Sequence, residues 1–154
     1  MTVFEAIRAN DVATLRHLIA TDPAALETPD ERGSTPLLLA SYLGQRECTE
    51  VLVGAGADLN HCGLTGTPLM GVSFKGYADL AGYLLNAGAD PNVRHANGAT
   101  ALVFATMFNR TEIVELLLAG GADPTIRDGQ GLTAADHAAQ QGFAELAQRL
   151  QATK

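Results

Sequence analysis

The sequence has no tryptophan and only two cysteines, Cys48 and Cys62, too few for a disulfide framework. Lysine is nearly missing: Lys75 and Lys154 are the only two, and the 154 residues carry a formal net charge of −7. Phosphate backbones are gripped by clustered Lys and Arg, so no nucleic-acid partner is expected. No window approaches the roughly 20 apolar residues needed to span a bilayer, and no membrane partner is expected either. The opening MTVFEAIRANDVATL places acidic and polar residues where a secretory signal needs an unbroken apolar stretch. A reducing, cytoplasmic setting is the expectation. Charged residues make up only 18% and aromatics 5%, while the apolar 47% is rich in Ala and Leu, which suits closely packed helices.

What the sequence does have is a repeated phrase. TPLLLASYLG at 35–44 returns as TPLMGVSFKG at 67–76, TALVFATMFN at 100–109 and TAADHAAQQG at 133–142, at offsets of 32, 33 and 33 residues. A fixed period of this length means stacked copies of a unit too small to bury its own apolar face. In residues 30–61, Thr35 can cap a helix through its hydroxyl and Pro36 takes the first helical position, where a missing N–H costs nothing. Leu37, Ala40 and Leu43 fall at helical spacing, and Gly44 closes the helix with the left-handed residue glycine allows. A second helix puts Val51 and Leu52 on a buried face and stops at Gly56.

The punctuation recurs. First helices stop at Gly44, Gly76, Asn109 and Gly142, and second helices at Gly56, Gly88 and Gly121, each followed by Ala-Asp. Helices of about nine or ten residues are marginal alone, so stacking must supply the stability. At the start, 3–20 keep the two-helix rhythm without Thr-Pro, and Asn10 takes the stop position. At the end, 143–154 lack a closing Gly-Ala-Asp, and Gln148, Arg149 and Gln151 keep the last helix wet. The expected organisation is a single domain over 1–154, with units 1–29, 30–61, 62–94, 95–127 and 128–154.

TPL-x-x-A, a glycine eight residues after the proline, an apolar pair and then G-A-D-x-N resemble the ankyrin repeat over essentially the whole chain. The resemblance implies an all-α solenoid of antiparallel helix pairs joined by β-hairpin-like loops, and a non-catalytic role in protein–protein interaction. Three departures stand out. The family's histidine after TPL is replaced by Leu38, Met70, Val103 and Asp136, so apolar packing is expected in place of its hydrogen bonds. Thr-Pro survives only at Thr35-Pro36 and Thr67-Pro68. The link from Asn60 to Thr67 is one residue shorter than that from Asn92 to Thr100, predicting a tighter or bent second hairpin.

The resemblance also implies where a partner sits: on hairpin tips and on the first-helix edge lining the concave side. The two positions just before each first-helix stop are Arg8 and Ala9, Tyr42 and Leu43, Phe74 and Lys75, Met107 and Phe108, Gln140 and Gln141. Tyr42, Leu43, Phe74, Met107 and Phe108 would form an apolar stripe with Lys75 in its middle, placed to stack on Phe108 or Tyr42. The other reading is that these side chains pack against one another and expose only edges. Tip residues include Glu31, Arg32, Leu64, Ala96, Asn97, Gly129 and Gln130. The expected partner is another protein, met by a monomer, with a homodimer through the same stripe as the alternative and, third, a small-molecule or enzymatic site, which would need a concave pocket with converging polar groups.

No metal, cofactor or catalytic site is expected. His61, Cys62 and His95 lie on neighbouring hairpins, yet zinc needs four ligands converging at about 2.0–2.3 Å. Asp58, Asp90 and Asp123 form a row spread along the stack, which suits capping of turn N–H groups and not calcium. Neither GxSxG nor HExxH occurs, Cys48 has no evident base, and the chain neighbours Asp136 and His137 would not face each other on a helix. His17 and His137 are given no special role.

Overall fold

Threonine sets where each first helix begins. Thr2, Thr35, Thr67, Thr100 and Thr133 hold extended backbone, and each side-chain oxygen accepts the N–H three residues on, satisfying one of the donors a helix start leaves open. The structure, a computed structural model, describes residues 1–152; Thr153 and Lys154 of the closing unit lie outside the described residues. Among the described residues the helices run α1 (Val3–Arg8), α2 (Val12–Thr21), α3 (Pro36–Tyr42), α4 (Arg46–Gly54), α5 (Pro68–Lys75), α6 (Ala78–Asn86), α7 (Ala101–Met107), α8 (Thr111–Ala119), α9 (Ala134–Gln141) and α10 (Ala144–Gln151). A short 3-10 turn, Pro23–Leu26, follows α2. The chain is an all-α solenoid.

The first helices are shorter than expected, seven residues in α3 and α7 and eight in α5 and α9. The span from Thr cap to stop is fixed by the repeat, and the cap residues at both ends take part of it. The stops behave as read: Asn10, Gly44, Gly76, Asn109 and Gly142 all have left-handed backbone, as do Gly56, Gly88 and Gly121. At two of them the next unit adds a second demand. A Cβ on Gly44 would meet the Tyr77 ring at 2.9 Å, and one on Gly76 would meet the Arg110 guanidinium at 2.9 Å. Glycine there serves both the turn and a flat group laid over it.

Each helix packs on its pair partner, and the first helices touch in unbroken succession from α1 through α3, α5 and α7 to α9. Ala40, Ala105 and Ala138 are fully buried in this row and let the backbones approach closely. Ser41, Ser73 and Thr106 are buried too, and each hydroxyl donates to the carbonyl four residues earlier at 2.7 Å. Those buried polar groups are thereby satisfied. Of the predicted apolar pair in α4, Leu52 is fully buried but Val51 is only half-buried; the aligned Leu84 and Leu117 are buried like Leu52. One core cluster joins residues from Leu69 to Leu150 and a second joins Val3 to Ala57, with Val53 and Leu59 packed against both.

The hairpins turn on a shared geometry with one exception. Asp30, His95 and Asp128 each bond to the residue four positions on. In the second hairpin Gly63 and Gly66 exchange both backbone bonds, at 3.0 and 3.1 Å, closing one residue earlier. The shortened link is therefore tighter, as its length predicted. The third and fourth hairpins are tied together: Gly129 N–H donates to the Asn97 carbonyl at 2.8 Å and Arg94 donates to the Arg127 carbonyl at 2.6 Å. Gly98 has left-handed backbone, and a Cβ there would lie 2.6 Å from Gly129 N.

Candidate functional site

The ends of α3, α5 and α7 bring three rings into one row. Tyr42 and Phe74 lie parallel with centroids 6.5 Å apart, and Phe108 meets Phe74 edge-on at 4.7 Å. The Tyr42 ring leans over Gly71, 3.4 Å from where a Cβ would stand. Both features weighed from sequence are present: the rings touch, and large apolar area still faces outward. Leu43 is 43% exposed, Phe74 38% and Phe108 44%, whereas Tyr42 and Met107 are half-buried. Lys75 is exposed, with its Nζ over the Tyr42 ring at 5.1 Å, which gives the cation an aromatic seat without using its hydrogens.

Beside Tyr42 the row opens into a groove of about 450 Å³ that reaches the hairpin tips. Arg8, Arg32, Leu39, Tyr42, Leu43 and Leu64 line it. Leu64, on the tight second hairpin, is 78% exposed. Arg32 and Leu64 were read as tip residues, and the fold brings them beside the stripe. Glu31 and Asn97 are exposed on their own hairpins and lie outside the groove lining. Arg8 and Leu39 enter through the contact of α1 with α3, which no local pattern announces.

The predicted carboxylate row does cap its turns. Asp58, Asp90 and Asp123 accept the N–H two residues on at 2.8 to 2.9 Å. A ladder between units runs beside it. The Asp90 N–H donates to Asn60 Oδ1 and the Asp123 N–H to Asn92 Oδ1, both at 2.8 Å, while Glu27 Oε1 takes the Asp58 N–H at 2.8 Å. The asparagine of G-A-D-x-N is thus a splice to the next unit, and its recurrence in the sequence was the available signal.

His137 has a structural role that the sequence reading missed. Its Nε2 lies 2.6 Å from Asp128 Oδ2, and both side chains are about nine-tenths buried. Asp128 Oδ1 also accepts the Gln130 and Leu132 N–H groups, so one carboxylate holds the fourth hairpin to α9. Burial pushes the Asp128 carboxyl up, but the hydrogen bonds from His137, Leu132 and Gln130 outweigh it and leave it below its ordinary value of 3.8. A depressed carboxyl stabilises the fold above its unfolded value and stops doing so as pH falls through the folded one. Asp128→Asn is therefore expected to lose about 1–2 kcal/mol at pH 7, a difference that should shrink as pH falls below the ordinary carboxyl value and through the lowered folded one. Urea titrations followed by far-UV circular dichroism at pH 7 and pH 3 check this. Asp136 replaces the family histidine with a carboxylate that accepts the Thr133 N–H at 2.9 Å, and the buried Met70 Sδ accepts the Thr67 N–H at 3.4 Å, so only Leu38 and Val103 make the substitution by apolar packing alone.

Among the described residues no group of three or more His, Cys, Asp or Glu is arranged to hold a metal ion. Burial, then the charges of Glu47 and Asp11, push the Cys48 thiol up, away from the thiolate that nucleophilic chemistry needs. No helix there is long and apolar enough to cross a membrane.

Helix pairs stacked on a common period, with side-projecting hairpins, define a repeat solenoid. The family model described as ankyrin repeats in three copies matches residues 69–153, and that of a single ankyrin repeat matches residues 32–64. This chain belongs to the ankyrin-repeat family, whose repeats generally serve as protein–protein interaction modules and are typically non-enzymatic. A stretch of 58 residues is 38% identical to ankyrin repeat domain-containing protein 29 of Danio rerio. It covers 38% of this chain and only 20% of that relative.

Proposed function

We propose that the protein is a non-catalytic recognition module that acts as a monomer and binds a partner protein through the first-helix row and the adjoining hairpin tips. The observation that carries this reading is the row Tyr42, Phe74 and Phe108, continuous across three units and more than a third exposed at Phe74 and Phe108. Aromatic side chains supply large contact area at small conformational cost and are frequent anchors of interfaces. Tyr42, Phe74, Met107 and Phe108 act as anchors, Leu43 and Lys75 flank them, and Glu31, Arg32, Leu64 and Asn97 tune the fit. Binding leaves the helix stack nearly unchanged, as expected for a packed surface.

A photo-cross-linking phenylalanine analogue at position 108 is expected to capture a heterologous protein from native lysate, whereas the same group at Glu112, exposed on α8, captures none. Equal capture at both positions would sink the assignment. A product with the mass of two copies of this chain would transfer the stripe to self-association.

A further inference from the structure

Charge is unevenly spread over this molecule. On a chain of net charge −7, helices α3, α5 and α7 contain no Asp or Glu, and their one formal charge is Lys75. Most carboxylates sit instead on second helices, as at Glu47, Glu50, Asp79, Glu112 and Glu115, and in the turns; among first helices only the outer two carry one, Glu5 on α1 and Asp136 on α9. Arginines divide in the same way. Arg46, Arg94, Arg110, Arg127 and Arg149 place their guanidinium groups on carbonyls or carboxylates of the protein itself. Arg8, Arg16 and Arg32 make no side-chain hydrogen bond or ion pair among the described residues; Arg16 is exposed on α2 and lies outside the groove lining, whereas Arg8 and Arg32 are exposed along the groove beside Tyr42. The groove's one carboxylate, Asp30, has Oδ1 occupied by the N–H groups of Arg32 and Ser34 at 2.9 Å.

We infer that this groove takes a short segment of a partner protein in which a bulky apolar side chain is flanked by carboxylates. The inference rests on the protein-recognition reading above and adds the partner's chemistry. The apolar side chain fits between Leu39, Tyr42, Leu43 and Leu64, where exposed hydrocarbon meets an aromatic face. Flanking carboxylates meet Arg8 and Arg32, whose planar guanidinium groups can each donate two parallel hydrogen bonds to a carboxylate. Lys75, seated on Tyr42, offers a third cation at the edge toward α5. A long polyanion is disfavoured because the remaining surface is acidic and would repel it.

The test selects a random dodecapeptide library displayed on phage against the full chain at low salt. Recovered peptides are expected to be enriched in Asp and Glu beside Leu, Phe, Ile or Met. Their affinity should fall with added salt, and by at least about tenfold in Arg8→Glu plus Arg32→Glu. Arg8→Gln plus Arg32→Gln should give an intermediate loss, with far-UV circular dichroism confirming that both variants are folded. Apolar peptides without acidic enrichment would overturn the charge inference and leave the stripe reading standing. So would acidic peptides that bind the Arg variants as tightly as the parent. If no peptide is recovered while Phe108 cross-links a partner, the groove falls and the stripe stands; if neither occurs, both fall.

Discussion

Phe74→Asp combined with Phe108→Asp is expected to abolish partner capture while leaving the helical stack folded. The two rings contact each other at 4.7 Å, so the substitutions remove an aromatic pair worth about 0.5–1.5 kcal/mol and set two like charges close together. Both side chains are more than a third exposed, at 38% and 44%, so much of what they lose on mutation was never buried. A loss of this size stays within the roughly 5–15 kcal/mol that holds a domain together. The cost to binding is larger. A carboxylate pressed against an apolar partner surface without a hydrogen bond costs several kcal/mol, and each 1.4 kcal/mol is tenfold in affinity. A loss beyond about 100-fold is the expected result, read by pull-down beside far-UV circular dichroism. The pair Phe74→Leu and Phe108→Leu, apolar but smaller, should bind measurably. An unfolded Asp variant would assign the rings to inter-unit packing, and a folded one that still binds would remove them from the interface.

Leu84→Ala is expected to cost about 2–5 kcal/mol of stability, the usual range for a leucine deleted from a close-packed interior. Leu84 has no exposed surface and belongs to the larger core cluster, shared by α5 through α10. For a chain of this length such a loss corresponds to a fall of roughly 10 °C in Tm. Because each unit is stabilised mainly by its neighbours, the urea transition should also broaden, with the Val3-to-Ala57 cluster outlasting the damaged centre. Equilibrium unfolding by circular dichroism measures both effects. A change below about 0.5 kcal/mol would contradict the placement of Leu84 in a packed core.

Much of the fold was legible because its signals are local. Thr35, Thr67, Thr100 and Thr133 cap helices through bonds to residues three positions away, and Gly44, Gly76, Asn109 and Gly142 mark left-handed backbone that few other residues adopt. The tight second hairpin followed from counting residues between fixed points. The stripe was legible for a related reason: the repeat fixes which first-helix positions stand side by side, so alignment alone put Tyr42, Phe74 and Met107 in register, with Leu43, Lys75 and Phe108 one position on; that Phe74 meets the Phe108 ring came from the structure. Its exposure was not legible. Whether neighbouring rings bury one another or face water depends on their angles and on what lies beneath, such as Gly71 under Tyr42.

Other features needed the third dimension because their partners are separated in sequence by a full unit or by a turn. His137 finds Asp128 only after the fourth hairpin folds back on α9, and periodicity does not report that return. Asn60 and Asn92 splice neighbouring units through N–H groups about 30 residues away. Tyr77 and Arg110 lie over glycines of the preceding unit. The sequence alone determined the repeat, its threonine caps and left-handed stops, and the family, since each rests on short-range backbone chemistry copied at a constant period. The tertiary structure alone decided which arginines are already engaged, which aromatic surface stays in water, and that Arg8, Arg32 and Leu64 share a groove with Tyr42. Those outcomes depend on how units meet, and contacts between units are set by side-chain shape and angle, which a repeating pattern does not encode.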